Sequence, residues 1–347
     1  MSFGLGSTVA ATQNKDVELP QPPSDSVSEL SFSPKANYIA ASAWDNQTRI
    51  WEIGPNGQSV PKAAIQHEAP ALCVDWSLDG TKVLSGGCDK AGRMLDITTG
   101  QQAQIAVHDA PIRCCRFVEG PGNAQLAVTG SWDKTVRFWD LRQQNPVHGY
   151  QLGERCYVMD ASGPLLVIGS ADRKLHVFDM NNPSTPFRVI DSPLKFQTRS
   201  IGCFTVSSSP GFCVGSIEGR CQIQYIEEKQ MSSSFSFKCH RVDKEVYSLN
   251  AISFHPTFGT FSTAGSDGTI NFWDKESKQR LKAFPSVGYP ITSTAFNADG
   301  SIFAYSVGYD WHKGYQEHRP GSKVAIMLQS VNPNDIKPKP AGLKSKR

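Results

Sequence analysis

Apolar and polar residues alternate along most of this chain in short runs, and the runs are separated by Gly-Ser-Asp turns. An alternating run of this length predicts a strand with one buried face, not a helix. The clearest run, Thr129–Arg142, reads TGSWDKTVRFWDLR: a turn around Asp133, an alternating stretch, and a Trp-Asp ending. In it, Val136, Phe138 and Trp139 are expected to fill the space between neighbouring sheets. Asp133 is expected to accept hydrogen bonds from its own turn and hold the hairpin closed. The same unit returns at Ser42–Ile53, Gly86–Ile97, Gly169–Met180, Gly215–Ile226 and Gly265–Glu276, with an interrupted copy from Val307.

The turn acids are Asp45, Asp89, Asp133, Asp172, Glu218, Asp267 and Asp310, spaced by 44, 44, 39, 46, 49 and 43 residues. A repeat of that length with Trp-Asp endings predicts an all-β, seven-bladed propeller of four-stranded sheets. Blade one is expected at Val27–Phe32, Tyr38–Ser42, Thr48–Ile53 and Ala63–Gln66. The next five run from Ala71 to Val107, Ile112 to Tyr150, Arg155 to Ile190, Lys195 to Lys238, and onward from the CHRVDKE segment. The last offers only Ile291–Phe296, Ile302–Val307 and Lys323–Leu328, and the prolines after Leu328 disfavour a fourth strand there. Asp16–Leu19 is therefore expected to supply it, joining the two ends of the ring and removing an open sheet edge. The expected division is a disordered 1–15, a propeller over 16–330 and a basic, Pro-containing flexible tail over 331–347. Between the second and third strands of blade seven lies GYDWHKGYQEHRPGS, long enough to be a binding loop.

Composition narrows the class. A hydrophobic share of 39% and a mean hydropathy of −0.35 fit a globular protein, and no run approaches the ~18 apolar residues that span a bilayer. The N-terminus has neither the basic start nor the apolar middle of a signal peptide. The nine cysteines are odd in number and never in Cys-x-x-Cys spacing, which fits buried thiols in a reducing compartment. The formal charge is +3, but Lys337, Lys339, Lys344, Lys346 and Arg347 sit in the tail, so the body carries a net −2. Such a body does not bind polyanions in bulk; any nucleic-acid contact belongs to a local groove or the tail.

Chemistry is sparse. Gly211–Gly215 has the spacing of a nucleophile elbow with Cys213 at its centre, but it falls inside a strand, not between a strand and a helix. His312 and His318 lack the carboxylate spacing of a His-Glu-x-x-His zinc site. No catalytic residue, metal site, cofactor or small-molecule substrate is expected, so the chain reads as a binding scaffold, not an enzyme.

The repeated unit resembles the WD-repeat family. In its best copies a His ahead of the blade, a Ser or Thr, the turn Asp and the Trp form a buried polar chain; His108, Thr129, Asp133 and Trp139 match it and imply a structural role. The order of HDAPIRCCRF, GSWDKTVRFWDLR, SPLKFQTR, GSIEGRCQIQYI, FSFKCHR and FNADGSIFAYSVGYDWHKG further resembles the mRNA export factors of the nuclear pore, the RAE/GLE family. A sister family of spindle-checkpoint WD-repeat proteins shares the Ser-Ile-Glu-Gly-Arg blade and is the alternative, binding segments carried by checkpoint kinases. Tyr309–Gly314, Gly130–Lys134 and the Pro-rich lead-in favour the export factors.

The resemblance implies a non-enzymatic adaptor in the nucleus and at the nuclear pore complex, with cytoplasmic exchange. It implies two partners: the GLEBS segment of an FG-repeat nucleoporin, and single-stranded RNA or messenger ribonucleoprotein. Arg220 would pair with a partner glutamate, with Glu218, Tyr309 and Trp311 contributing to the same surface. RNA would lie along a rim groove with flat faces from Phe237 and Trp273 and charge from Lys238, Asp274, Lys275, Lys278 and Arg280.

Overall fold

In the computed structural model, which describes residues 16–339 except 56, 208 and 320, the alternating runs form seven four-stranded antiparallel sheets. The expected disorder of 1–15, the Phe3-Gly4 pair and the basic residues beyond 339 lie outside the described residues. Innermost strands of successive blades neighbour one another around a central channel, and blade one closes on blade seven. Blade one comprises Val27–Phe32, Tyr38–Ala43, Gln47–Ile53 and Ser59–Gln66, its outer strand longer than expected. Apolar residues pack into seven clusters, one between each pair of adjacent blades. Phe138 and Val136 face blade four, whereas Trp139 faces blade two. This division follows from alternation, because neighbouring residues of a strand point to opposite faces.

Ring closure is made by the N-terminal segment. Val17–Glu18 pairs antiparallel with Ala325–Ser330, placing Val17 opposite Leu328 and completing the fourth strand of blade seven. Leu19 is 1% exposed and inserts between blades one and seven. Its N–H donates to the Ile326 carbonyl at 2.9 Å, and the Trp51 indole donates to the Pro20 carbonyl at 2.9 Å.

Every turn acid is followed by a residue in the left-handed region: Asn46, Lys90, Lys134, Arg173, Gly219, Gly268 and Trp311, with φ between 62° and 71°. The seventh turn thus keeps the geometry of the other six although its loop is much longer. Only glycine fits at 219, where an added Cβ would lie 2.3 Å from the His240 carbonyl oxygen. The innermost strands share a second feature. Each has a bulge at its second position, displacing Ser28, Leu72, Arg113, Tyr157, Arg199, Asn250 and Thr292 from the regular register. Bulges bend a strand and re-aim a side chain, and here all seven line the channel.

In blade three, His108 Nδ1 is 2.8 Å from Asp133 Oδ2, His108 Nε2 is 2.7 Å from Thr129 Oγ1, and the Trp139 indole donates to Thr129 Oγ1 at 2.8 Å. Asp133 also accepts the Thr135 N–H at 2.8 Å and the Asp109 N–H at 3.1 Å, so one carboxylate ties its own turn to the preceding loop. Burial alone would push that carboxyl up, but hydrogen bonds from Thr135 and His108 outweigh it and hold it at about 2. Burial lowers His108 below the ordinary imidazole value, with Asp133 opposing.

The described part of the expected flexible tail, residues 331–339, includes regular structure. Pro333–Ile336 forms one helical turn, capped by Asn332, whose side chain accepts the Asn334 N–H at 3.0 Å. Ile336 is fully buried between blades six and seven, and its carbonyl accepts from Thr260 Oγ1 at 2.8 Å. One apolar residue thus anchors a polar segment, because burying it is worth roughly 1.5–3 kcal/mol.

Truncation through Pro20 is expected to remove Leu19 together with the hydrogen bonds made by the Leu19 N–H and the Pro20 carbonyl, costing about 3 kcal/mol. Truncation through Lys15 should change stability little, so equal melting temperatures for the two proteins would contradict closure by this segment. A second expectation concerns pH. His108, His176 and His255 are all lowered by burial. Unfolded histidine takes a proton near pH ~6.5, where the folded groups still refuse it, so stability present above that pH is lost as pH falls through it. Melting temperature should drop between pH 7.5 and 5.5, and His108→Gln should shrink that drop while lowering stability at pH 7.5. Asp75, pushed up to about 6 by burial, adds an opposing slope in the same window, so the test is the difference: a His108→Gln pH profile parallel to the wild type would refute a neutral buried His108.

Candidate functional site

Antiparallel order places all the turn acids and the loops joining one blade to the next on one face of the disc. On that face, between blades four and six, lies an open groove of about 820 Å³. Its floor and walls include Leu194, Phe196, Ile217, Arg220, Arg241 and Val246. Phe196, Ile217 and Val246 are 54%, 39% and 48% exposed, an apolar lining that water would leave on burial.

Arg220 begins the third strand of blade five, directly after the turn of Ser216–Gly219. Its Nε is 3.5 Å from Glu218 Oε2. Arg241 reaches the same turn from the short hairpin Arg241–Val246, donating from Nη2 to the Glu218 carbonyl at 2.7 Å and lying 3.4 Å from Oε2. Two guanidiniums therefore share one carboxylate, leaving one positive charge over. The Glu218 side chain is only 12% exposed; it forms part of the groove wall and holds the two arginines there. Arg241, Phe196 and Ile217 were not singled out in the sequence. The signal for Arg241 was available: it follows His240, whose ring contacts Asp267 Oδ1 at 2.9 Å and so pins the residue after it over blade five's turn.

Tyr309 and Trp311 do not join this groove. They stand at the entrance to the central channel in blade seven, where Ser26 Oγ donates to the Tyr309 carbonyl at 2.9 Å. Trp311 stacks on His318 with centroids 5.0 Å apart, and His312 Nδ1 contacts Asp310 at 2.5 Å, so both loop histidines brace the loop itself. Cys213 is fully buried within the strand Gly211–Ser216, which removes the nucleophile-elbow geometry. Among the described residues, no cluster of His, Cys, Asp and Glu suited to a metal ion is found, and no helix is long and apolar enough to cross a membrane.

The rim between blades five and six carries the second set. Phe235 and Phe237 lie two apart on the outer strand Phe235–Lys238 and so share a face. Phe237 meets Trp273 at 4.6 Å between centroids, Lys278 Nζ lies 4.6 Å from the Phe235 ring centre, and Arg280 lies 5.9 Å from that of Trp273. The indole of Trp273 donates to Thr263 Oγ1 at 2.9 Å, repeating the blade-three polar chain, while its ring remains half-buried at the strip. Lys238 is exposed at the strand's end.

Asp274 and Lys275 do not belong to the strip. Asp274 is buried, accepting the Glu276 N–H at 2.9 Å and Ser277 Oγ at 2.7 Å to close the turn into the outer strand. Lys275 is 4% exposed, with its ammonium 5.1 Å from the Phe204 ring centre and paired to Glu276. Phe235, missed in the sequence, takes their place. The strip thus combines three flat apolar faces with Lys278, Arg280 and Lys238, the groups that stack on bases and neutralise phosphates.

The chain matches the WD domain, G-beta repeat, over residues 17–52, 60–94, 100–140 and 231–274. It is 51% identical to the poly(A)+ RNA export protein of Schizosaccharomyces pombe, across 97% of this chain and 98% of that one. It is 50% identical to the mRNA export factor GLE2 of Chaetomium thermophilum, across 96% and 95%. It is also 48% identical to protein RAE1 of Arabidopsis thaliana, across 98% and 97%.

Proposed function

The chain belongs to the WD-repeat family of mRNA export factors, and from that premise we propose that it is a non-enzymatic adaptor in mRNA export at the nuclear pore. In this reading the groove at Arg220 and Arg241 holds an acidic GLEBS segment of an FG-repeat nucleoporin, and the blade five–six rim holds single-stranded RNA. The observation that carries the reading is the arginine pair sharing one carboxylate beside exposed Phe196 and Ile217. A partner glutamate would complete the charge balance with the planar, two-pronged contact that guanidinium favours, while apolar partner residues cover the walls. Because the turns are fixed by buried hydrogen bonds, the surface is formed before the partner arrives, and little ordering entropy is lost on the scaffold's side. The names of the relatives support export over the checkpoint alternative.

Arg220→Glu is expected to weaken binding of a GLEBS peptide at least tenfold with an unchanged melting curve; loss of both would make Arg220 structural, and loss of neither would refute the groove. For RNA, Arg280→Glu and Phe237→Ala should each weaken an oligouridine probe, by several-fold and by roughly 1–3 kcal/mol respectively. Arg280→Glu should also flatten the dependence on salt. Oligouridine affinity that neither substitution moves would place RNA elsewhere.

A further inference from the structure

The channel entrance on the turn-acid face has its own chemistry, separate from the groove and the rim. Five of its seven bulged positions are Arg113, Tyr157, Arg199, Asn250 and Thr292, and none of the seven is acidic. Among the described residues neither Arg113 nor Arg199 forms an ion pair. Arg113 Nη1 donates to the Leu72 carbonyl at 3.3 Å, and Arg199 Nε to Asn250 Oδ1 at 3.4 Å, both long contacts that leave the remaining nitrogens available. Arg199 is accessible to water. Burial in the channel wall and the neighbouring charge of Arg113 pull its pKa below the usual guanidinium value, with Asp310 opposing, whereas Arg113 is raised against burial by the neighbouring Cys114 and Glu29.

Acids near the entrance are already committed. Asp310 accepts from Asn250 Nδ2 at 2.7 Å, from Ser266 and from the His312 ring. Deeper in the channel, Arg116 lies 2.7 Å from Glu29 and 3.1 Å from Asp160, while Asp75 accepts the Phe117 N–H at 2.8 Å. That inner layer has three carboxylates to one guanidinium. An anion drawn to the entrance would be stopped there by the negative layer below. Above, Trp44, Trp132 and Tyr309, each directly before a turn acid, add aromatic surface around the opening.

We propose that the channel entrance binds a phosphate-bearing anion, seated between Arg113 and Arg199, with the class of a nucleoside diphosphate fitting the aromatic surround. Paired guanidiniums match phosphate oxygens geometrically and electrostatically, and Tyr157, Asn250 and Thr292 supply neutral hydrogen-bonding groups on the same ring.

The test is titration calorimetry of the full-length protein at low ionic strength with adenosine diphosphate, inorganic pyrophosphate and adenosine. Saturable binding of diphosphate and pyrophosphate, but not adenosine, is expected, weakening as salt rises. Equal affinity for the two would mean that the phosphates alone are read; tighter diphosphate binding, with quenching of tryptophan fluorescence, would mean that the base is read as well. Arg113→Gln and Arg199→Gln should each reduce affinity tenfold or more without altering the melting curve, and Arg220→Gln, in the separate groove, should leave it unchanged. Absence of saturable binding by either phosphate compound at millimolar concentration overturns the site. So does wild-type affinity in both Arg113→Gln and Arg199→Gln, or equal loss in Arg220→Gln.

Discussion

The structure depends on two residues pairing with a strand at the far end of the chain. Six blades draw their four strands from consecutive sequence, so each can form its hairpins locally. The seventh is complete only when Val17 meets Leu328 and Glu18 meets Met327. Without that pairing the strand Ala325–Ser330 would present an open edge, and blades one and seven would lose Leu19 from their shared core. Closing so long a loop is entropically unfavourable, though the cost grows only with the logarithm of length. The opposing gain comes from the cluster between the first and last blades, which forms only in the closed ring.

A closed ring makes the faces of the disc stiff, and stiffness explains how short turns serve as binding surfaces. In blades two, three and six the turn acid joins its hairpin to the segment that enters the blade, as Asp133 joins Thr135 to Asp109. Glu218 departs from this pattern in a way that matters. Among the described residues no histidine reaches it; two arginines do instead. The position that elsewhere fastens a turn has here become the counter-ion of a groove.

Much of the fold was legible because it rests on features that recur: the alternation, the turn acids and the Trp-Asp endings. Even the interrupted seventh copy keeps Trp311 in the left-handed conformation, so the insertion lengthens the loop after the turn without disturbing the turn itself. The helical turn at Pro333–Ile336 was not legible. Four residues are too few to show a helical period, and its stability comes from Ile336 entering a core built by distant strands. Site residues divide along the same line. Arg220 is marked by a motif, whereas Arg241 matters only because a hairpin folds it back over Glu218. Asp274 and Lys275 were grouped with Trp273 by adjacency along the chain, but a strand sends adjacent side chains to opposite faces and the turn after it buries them.

Trp273 shows why structure and recognition are hard to separate in such a scaffold. Its N–H closes the buried chain through Thr263 to His240 and Asp267, as Trp139 does in blade three, while its ring supports Phe237 at the rim. Replacing the whole side chain would leave Thr263 short of a donor and remove the rim surface together, so lost binding in such a variant would not locate an interface. Phe237 and Arg280 take no part in that polar chain; they touch the same strip from the outer strands. The repeat's tryptophan, present in blades one, three and six, supplies the platform here, and the residues laid over it, which stand outside the buried polar chain, determine what the platform can hold.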